Sequence, residues 1–424
     1  MKQPSLRTPD RLDVPMARRQ TLRNGVELHT LPDDEFEVLR LSFVFRAGSA
    51  VQRVPFSASS TANLLSEGSR DMDAQQIAEK LDFYGSYYDV NVDRDYVYLS
   101  FCSLSKFFLP TLEVAERILL GPVFPEDEVD AYRRKRKQRL AIERLKVDTK
   151  AREALAQALF GERHPYGISY DEAAYDTLTR EDLAEMYRAH YTAGNCLAVC
   201  SGNITDAHLQ AIVALAERLP RGGERIRSSF PDPVTQSRRF VHSPDAVQSS
   251  IRLGRLLFTR EHPDFVPMQV VAAALGGYFG SRLMSNLRER NGYTYGVAAA
   301  MVNFERAGYF AVATQTGAEV TDAALREIYA EIDRLRREPI PAEELQTVKN
   351  ILIGEMMRVL DGPFGIADVT IENALCGMDN GVIGRNLQRI LAIGPEQVRD
   401  LAARYLAPQD LTTVVAGPRK PEGF

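Results

Sequence analysis

Two stretches about two hundred residues apart repeat one another, in order, along the whole chain. Gly85-Ser86-Tyr87-Tyr88-Asp89-Val90 resembles Gly292-Tyr293-Thr294-Tyr295-Gly296-Val297 at an offset of 207 residues. Pro125-Glu126-Asp127-Glu128-Val129 resembles Pro341-Ala342-Glu343-Glu344-Leu345 at 216, and Phe160-Gly161 matches Cys376-Gly377 at the same offset. Tyr191 matches Tyr405 at 214, and Gly202 matches Gly417 at 215. An offset that drifts by a few residues while the order holds is what loop insertions in a duplicated unit produce. The chain is therefore expected to form two similar halves rather than one core, as its 424 residues also favour.

The order of elements repeats with the residues. Strand patterns at Val26–His29 and Val38–Phe45 precede helical patterns at 57–67 and 74–84, then alternating strands at Tyr87–Val92 and Tyr96–Cys102. Helices are expected near 106–119, 125–146, 148–160, 180–190 and 205–218, with a strand at 196–200. In the second half, strands fall near 238–243, 249–257, 293–302, 307–315 and Leu411–Ala416, with helices near 263–275, 281–290, 320–337 and 341–360. The stretch 221–239 (RGGERIRSSFPDPVTQSRR) is rich in Gly, Ser, Pro and charge and reads as a linker. The predicted architecture is α+β, with two homologous α/β-sandwich halves at 19–220 and 240–420 and a polar extended arm before them.

Composition narrows the functional classes. The net charge of −5 supplies no basic field for nucleic acid or an anionic membrane. The strongest basic run, Asp130–Lys146, has an apolar stripe of Val129, Tyr132 and Leu140 and reads as one solvated helix face. Four cysteines are too few for a disulfide framework, and Cys196 and Cys200 sit in an apolar strand as buried thiols. Neither a membrane-spanning run nor a secretory leader is legible, so a cytoplasmic location is expected.

The stretch most suggestive of chemistry is Gly276–Val297 (GGYFGSRLMSNLRERNGYTYGV). Gly276, Gly277 and Gly280 form a glycine-rich loop in which backbone can approach a ligand. Ser281 is expected to cap a short helix with Leu283, Met284 and Leu287 on its apolar face, Asn291-Gly292 to stop it, and Tyr293-Thr294-Tyr295 to open a strand. Arg288 and Tyr295 would then stand on either side of a reversal. The loop lacks the endings of a P-loop or a dinucleotide fingerprint, so an extended peptide suits it better than a phosphate.

The order Gly-Gly, Ser-Arg-Leu, Leu-Arg-Glu, Gly, then Tyr seven residues after the Arg resembles the second-half signature of the pitrilysin/insulinase zinc peptidases. The resemblance implies two related α+β domains in a subunit that closes like a clamshell on a second one. It also implies that Arg288 and Tyr295 bind the peptide near its scissile bond, with the three glycines lining the same groove. In that family His-x-x-Glu-His on the first helix binds zinc. Aligned on Gly68-Ser69, those positions are Ser59, Ala62 and Asn63, and no two of the six histidines are spaced to restore the motif. Glu143, near the third-ligand position, reads as a helix-surface charge, and the lone histidines as surface or capping residues. The expectation is a chain that binds no cofactor itself, with zinc in a homologous partner subunit. Its function would be to supply substrate binding and transition-state stabilisation to a heterodimeric metallopeptidase, inactive alone. The alternative is a catalytically inactive peptide-binding or scaffold protein of the same fold, pairing with a zinc-motif homologue or with itself.

Overall fold

The computed structural model describes residues 9–223 and 230–424, and the central part of the expected linker lies outside them. The first half runs β1 (Arg18–Thr21), β2 (Glu27–Pro32), β3 (Val38–Phe45), α1 (Ser57–Asn63), α2 (Ala74–Phe83), β4 (Tyr87–Val92) and β5 (Val97–Leu104). It continues with α3 (Phe108–Leu120), α4 (Glu126–Leu145), α5 (Val147–Phe160), α6 (Arg180–His190), β6 (Cys196–Gly202) and α7 (Asp206–Ala216). The second half holds β7 (Arg238–His242), β8 (Gln248–Leu257), α8 (Phe265–Ala272), β9 (Val297–Asn303), β10 (Gly308–Gly317) and α9 (Thr321–Arg337). After them come α10 (Ala342–Val359), α11 (Gly362–Leu375), α12 (Gly381–Ala392), α13 (Pro395–Tyr405) and β11 (Thr412–Gly417).

The duplication is visible in the sheets. The first has the order β1-β2-β6-β3-β5-β4 and the second β7-β11-β8-β10-β9. In each, the last strand of the half (β6, β11) runs parallel to one neighbour and antiparallel to the other. The chain is thus an α+β protein of two related halves. β1 was not legible, because all four of its side chains are exposed and no alternation marks it.

Each sheet is covered on one face by helices of its own half and on the other by a helix from the opposite half. From the first half, Ala151, Ala154, Leu155, Ala158 and Leu159 of α5 pack on Val414 and Ala416 of β11. Gly254 on β8 makes room for them, since a Cβ there would meet Leu159 Cδ1 at 3.0 Å. Reciprocally, Ala367 and Ile371 of α11 pack on Leu31, Val44, Leu197 and Val199 of the first sheet. An arginine on each sheet fastens the intruder: Arg252 to Asp148 of α5 at 2.7 Å, and Arg40 to Asp368 of α11 at 2.5 Å. The halves read from sequence therefore interlock through one exchanged helix each.

The described ends of the linker are fastened as well. Phe230 packs on His164 and Tyr166, and the backbone N–H groups of Val234 and Gln236 donate to Phe160 and Ala158 carbonyls. The described part of the polar arm, from residue 9 on, meets the second half, where Asp10 O accepts from Gln388 and Pro15 O from Asn380. Among the described residues no helix is long and apolar enough to cross a membrane.

Candidate functional site

The stretch 276–297 leaves α8 through a π-type turn at Ala273–Gly277. Gly276 is buried, and a Cβ on it would lie 2.8 Å from the Ala299 backbone nitrogen. The absence of a side chain at this position is thus accounted for by close packing on β9, not by a ligand's approach. Gly277 and Gly280, by contrast, are exposed.

The helix that follows differs from expectation in its start. Ser281 contributes its carbonyl, which accepts from Ser285 N at 2.9 Å, but its buried hydroxyl has no partner among the described residues, so it is not a side-chain cap. Leu283, Met284 and Leu287 are buried as expected. From Met284 to Arg290 the helix is π-type, and Asn291 N donates to Asn286 O at 3.1 Å. Gly292 then takes a left-handed φ of 63°, and Tyr293 N closes on Leu287 O at 2.8 Å, which ends the helix at Asn291-Gly292 as read.

Tyr293-Thr294-Tyr295 does not open the strand. The ladder to β10 begins at Val297, opposite Thr314, while in the first half Tyr88 is already paired with Phe101. The 207-residue match of Tyr88 with Tyr295 is therefore not a structural equivalence. Residues 292–296 form an irregular excursion in which the Thr314 hydroxyl stands 2.9 Å from both of its possible acceptors, Thr294 Oγ1 and Gly296 O, and Thr294 closes a turn on Gly296.

This excursion and the helix before it present Arg288 and Tyr295 to solvent. The Arg288 guanidinium lies 4.6 Å from the Phe279 ring centroid, and Tyr295 is 91% exposed. The two side chains flank the reversal, yet among the described residues they make no hydrogen bond to each other. Beneath them lies a polar scaffold that sequence reasoning missed. Asn286, buried, donates to Glu327 at 2.8 Å and to Glu331 at 2.7 Å on α9, and accepts from Asn291 at 2.7 Å. Glu331 is only 1% exposed and also receives Arg334 at 3.2 Å and Arg290 at 3.5 Å. Arg282 forms a two-point pair with Glu344 of α10 at 2.7 and 3.1 Å. Its place in the Ser-Arg-Leu triplet was the one signal available; Glu331 and Glu344 lie too far along the chain to be paired from spacing.

On α1, Ser59 Oγ donates to Phe56 O at 3.2 Å and Asn63 Nδ2 to Ser59 O at 2.7 Å, while Ala62 is buried in the first core. Phe56, immediately before the helix, has a left-handed φ of 63° and stacks on Tyr175 at 4.1 Å. The α4 side chain facing this turn is Tyr132, whose buried hydroxyl lies against those of Ser59 and Ser60. Burial pushes that phenol up to about 12. Zinc requires imidazole, thiolate or carboxylate donors. A hydroxyl and an amide already bonded to their own helix do not fit it. Glu143 is engaged by Arg139 at 2.9 Å, which lowers its carboxyl below the usual range. Among the described residues no group of three or more His, Cys, Asp or Glu is arranged to hold a metal.

The histidines are more buried than expected. His29 and His164 are interior residues kept neutral by desolvation, His164 standing against Phe160 at 5.1 Å. His208 does cap α7, accepting from Thr205 N. Both Cys196 and Cys200 are buried, and burial raises both thiols. Half of the cations in the basic run pair locally, Arg133 with Asp130, Lys137 with Asp176, Arg139 with Glu143 and Arg144 with Glu153.

These features define a duplicated α+β protein of two sheets, with no cluster of metal-donor side chains among the described residues. Residues 177–352, which span the seam between the halves, match the family described as "Peptidase M16 inactive domain". That match, over rather less than half of the chain, is to an inactive-type domain of the M16, or pitrilysin/insulinase, peptidases. It is 20% identical over 411 residues to "Uncharacterized zinc protease YmxG" of Bacillus subtilis, covering 95% of this chain and 98% of that protein. It is 19% identical over 365 residues to "Non-peptidase homolog YmxG" of Helicobacter pylori, covering 85% and 84%. The crystal structure of a peptidase M16 inactive domain from Pseudomonas fluorescens superposes with a TM-score of 0.87 at 22% identity, over 96% of this chain and 100% of that one.

Proposed function

We propose that this chain is the zinc-less subunit of a heterodimeric M16-type peptidase of the cytoplasm, closing like a clamshell on a homologous subunit that bears the metal. Its own contribution is to hold the substrate peptide. Arg288 and Tyr295 donate to the carbonyl oxygens of the peptide near the bond to be cut, and the backbone at Gly277 and Gly280 forms the rim of the same groove. Charge developing on a carbonyl oxygen is stabilised by such fixed donors, and losing one typically slows the chemical step by about 10²–10³-fold.

The observation that carries this reading is a contrast of anchoring and exposure. The helix bearing Arg288 is tied down by buried Asn286, Glu331 and Arg282, whereas Arg288 and Tyr295 are left without hydrogen-bonding partners of their own among the described residues. Scaffolding of this kind is what a binding pair needs to keep its geometry. Mixing the chain with a zinc-motif homologue from the same organism tests the pairing by sizing and mass measurement. A one-to-one complex supports it, and two species that elute separately at micromolar concentration contradict it.

The inactive type of the matched family domain favours a second reading, a peptide-binding or scaffold protein with no part in catalysis, pairing with a zinc-motif homologue or with itself. The two readings part on one point. In the first, Arg288→Ala lowers turnover in the complex; in the second, the complex forms and turnover is indifferent to that change.

A further inference from the structure

The duplicated halves differ in their outer elements. In the first half α7 follows β6 and lies along α3, where the Phe108 and His208 rings are 5.2 Å apart and Arg218 pairs with Glu116 at 2.6 Å. β1 extends that sheet beyond β2. In the second half β7 is the outermost strand, and residues 418–424, which follow β11, contain no helix.

The correspondence of α3 with α9 is fixed by the elements before them. The 3-10 turns Ser105–Phe107 and Ala318–Val320 are 213 residues apart, and so are the helix starts Phe108 and Thr321. Leu112 and Glu116, on the α7 side of α3, therefore correspond to Leu325 and Tyr329 on α9. Both line a groove of about 1250 Å³ that runs along α9 from Asp322 to Arg337 beside the start of β7. At 1.5 Å per residue this wall is about 22 Å long, enough to seat a helix of α7's eleven residues. Glu422 and Phe424 also line the groove.

The groove carries one more cation than anion, with Arg238, Arg326, Arg336 and Arg337 set against Asp322, Asp333 and Glu422. Arg336 and Arg337 share Asp333 at 2.9 and 2.7 Å, while Arg238 holds the Gly423 carbonyl. Asp322 accepts from the Glu422 backbone N–H. Arg326 has no carboxylate partner among the described residues, and Arg336 Nε is buried without an acceptor.

We infer that this groove is the docking seat for an amphipathic helix of a partner protein, placed where the first half carries its own α7. The helix sets its apolar stripe on Leu325, Tyr329 and Ala330 and an acidic residue toward Arg326. The surface shares no residue with 276–297, and its test needs no peptidase activity.

The test uses the full chain and two labelled 15-residue helical peptides with the apolar stripe of α7, one flanked by glutamates and the other by lysines, followed by fluorescence anisotropy. The glutamate peptide is expected to bind about tenfold or more tightly than the lysine peptide. Ala330→Arg, at an exposed position, is expected to weaken it about tenfold or more by filling the groove, and Arg326→Glu to reverse the preference. Circular dichroism of both variants establishes that they remain folded. Absence of saturable binding overturns the inference, as does binding indifferent to both substitutions. Self-association of the chain that Ala330→Arg abolishes also overturns it, because the groove then belongs to a second copy.

Discussion

Glu331 sits 1% exposed beneath the helix that carries Arg288, surrounded by Asn286, Arg290 and Arg334. Replacing it with Ala leaves the buried Asn286 amide short of an acceptor, and the expected loss is about 2–3 kcal/mol, read as a fall in the urea midpoint. Arg288→Ala and Tyr295→Phe touch no buried group, so their effect on the same midpoint is expected to stay within about 0.5 kcal/mol. Gly276→Ala behaves differently, because its methyl meets the Ala299 backbone at 2.8 Å. Overpacking there is expected to cost about 1–3 kcal/mol, measured by thermal unfolding. At this scale the exposed pair was legible from the order of residues in one stretch. Its supports were not, since Glu331 and Glu344 meet that stretch only after the chain has passed through β9, β10 and α9.

At the scale of elements, helix periodicity and strand alternation located most of the chain, because long apolar stripes leave a local signal. β1 and the start of β9 escaped for opposite reasons. β1 buries nothing and shows no pattern. The residues before β9 are rich in strand formers, but Thr294, Thr314 and the left-handed Gly292 hold them out of the ladder. The exchange of α5 and α11 between sheets was invisible as well, since amphipathicity reports that a face is buried and not what buries it. The exchange is nonetheless testable. Gly254→Val drives a side chain into Leu155 and Leu159, so hydrogen exchange is expected to accelerate in both α5 and β8, although they belong to different halves of the sequence. Faster exchange in β8 alone would contradict the packing.

Across the whole molecule the halves also meet through Asp95. Its carboxylate accepts the Tyr166 hydroxyl at 2.6 Å and the Glu305 backbone N–H at 2.8 Å. Glu305 pairs in turn with Arg46 at 3.1 Å. Burial, opposed by those hydrogen bonds and reinforced by the neighbouring Asp93 and Glu305 carboxylates, pushes Asp95 up to about 6 from 3.8. The folded chain thus holds this proton more tightly than the unfolded chain does. The resulting stabilisation is complete only below about pH 3 and is lost as pH rises through about 6. Asp95→Asn removes the dependence: the stability of the parent minus that of the variant is expected to fall by roughly 2 kcal/mol between pH 4 and pH 7. A difference that is flat over this range would contradict the assignment.

The central claim is that a chain without a metal site lends Arg288 and Tyr295 to a partner's reaction. Its most direct test follows cleavage of a quenched peptide library by this chain, by the zinc-motif homologue from the same organism, and by their mixture. The account predicts turnover in the mixture alone, lowered about 10²–10³-fold by Arg288→Ala or Tyr295→Phe with the complex intact. Turnover in the mixture that neither substitution alters, or zinc-dependent turnover by this chain alone, would contradict it.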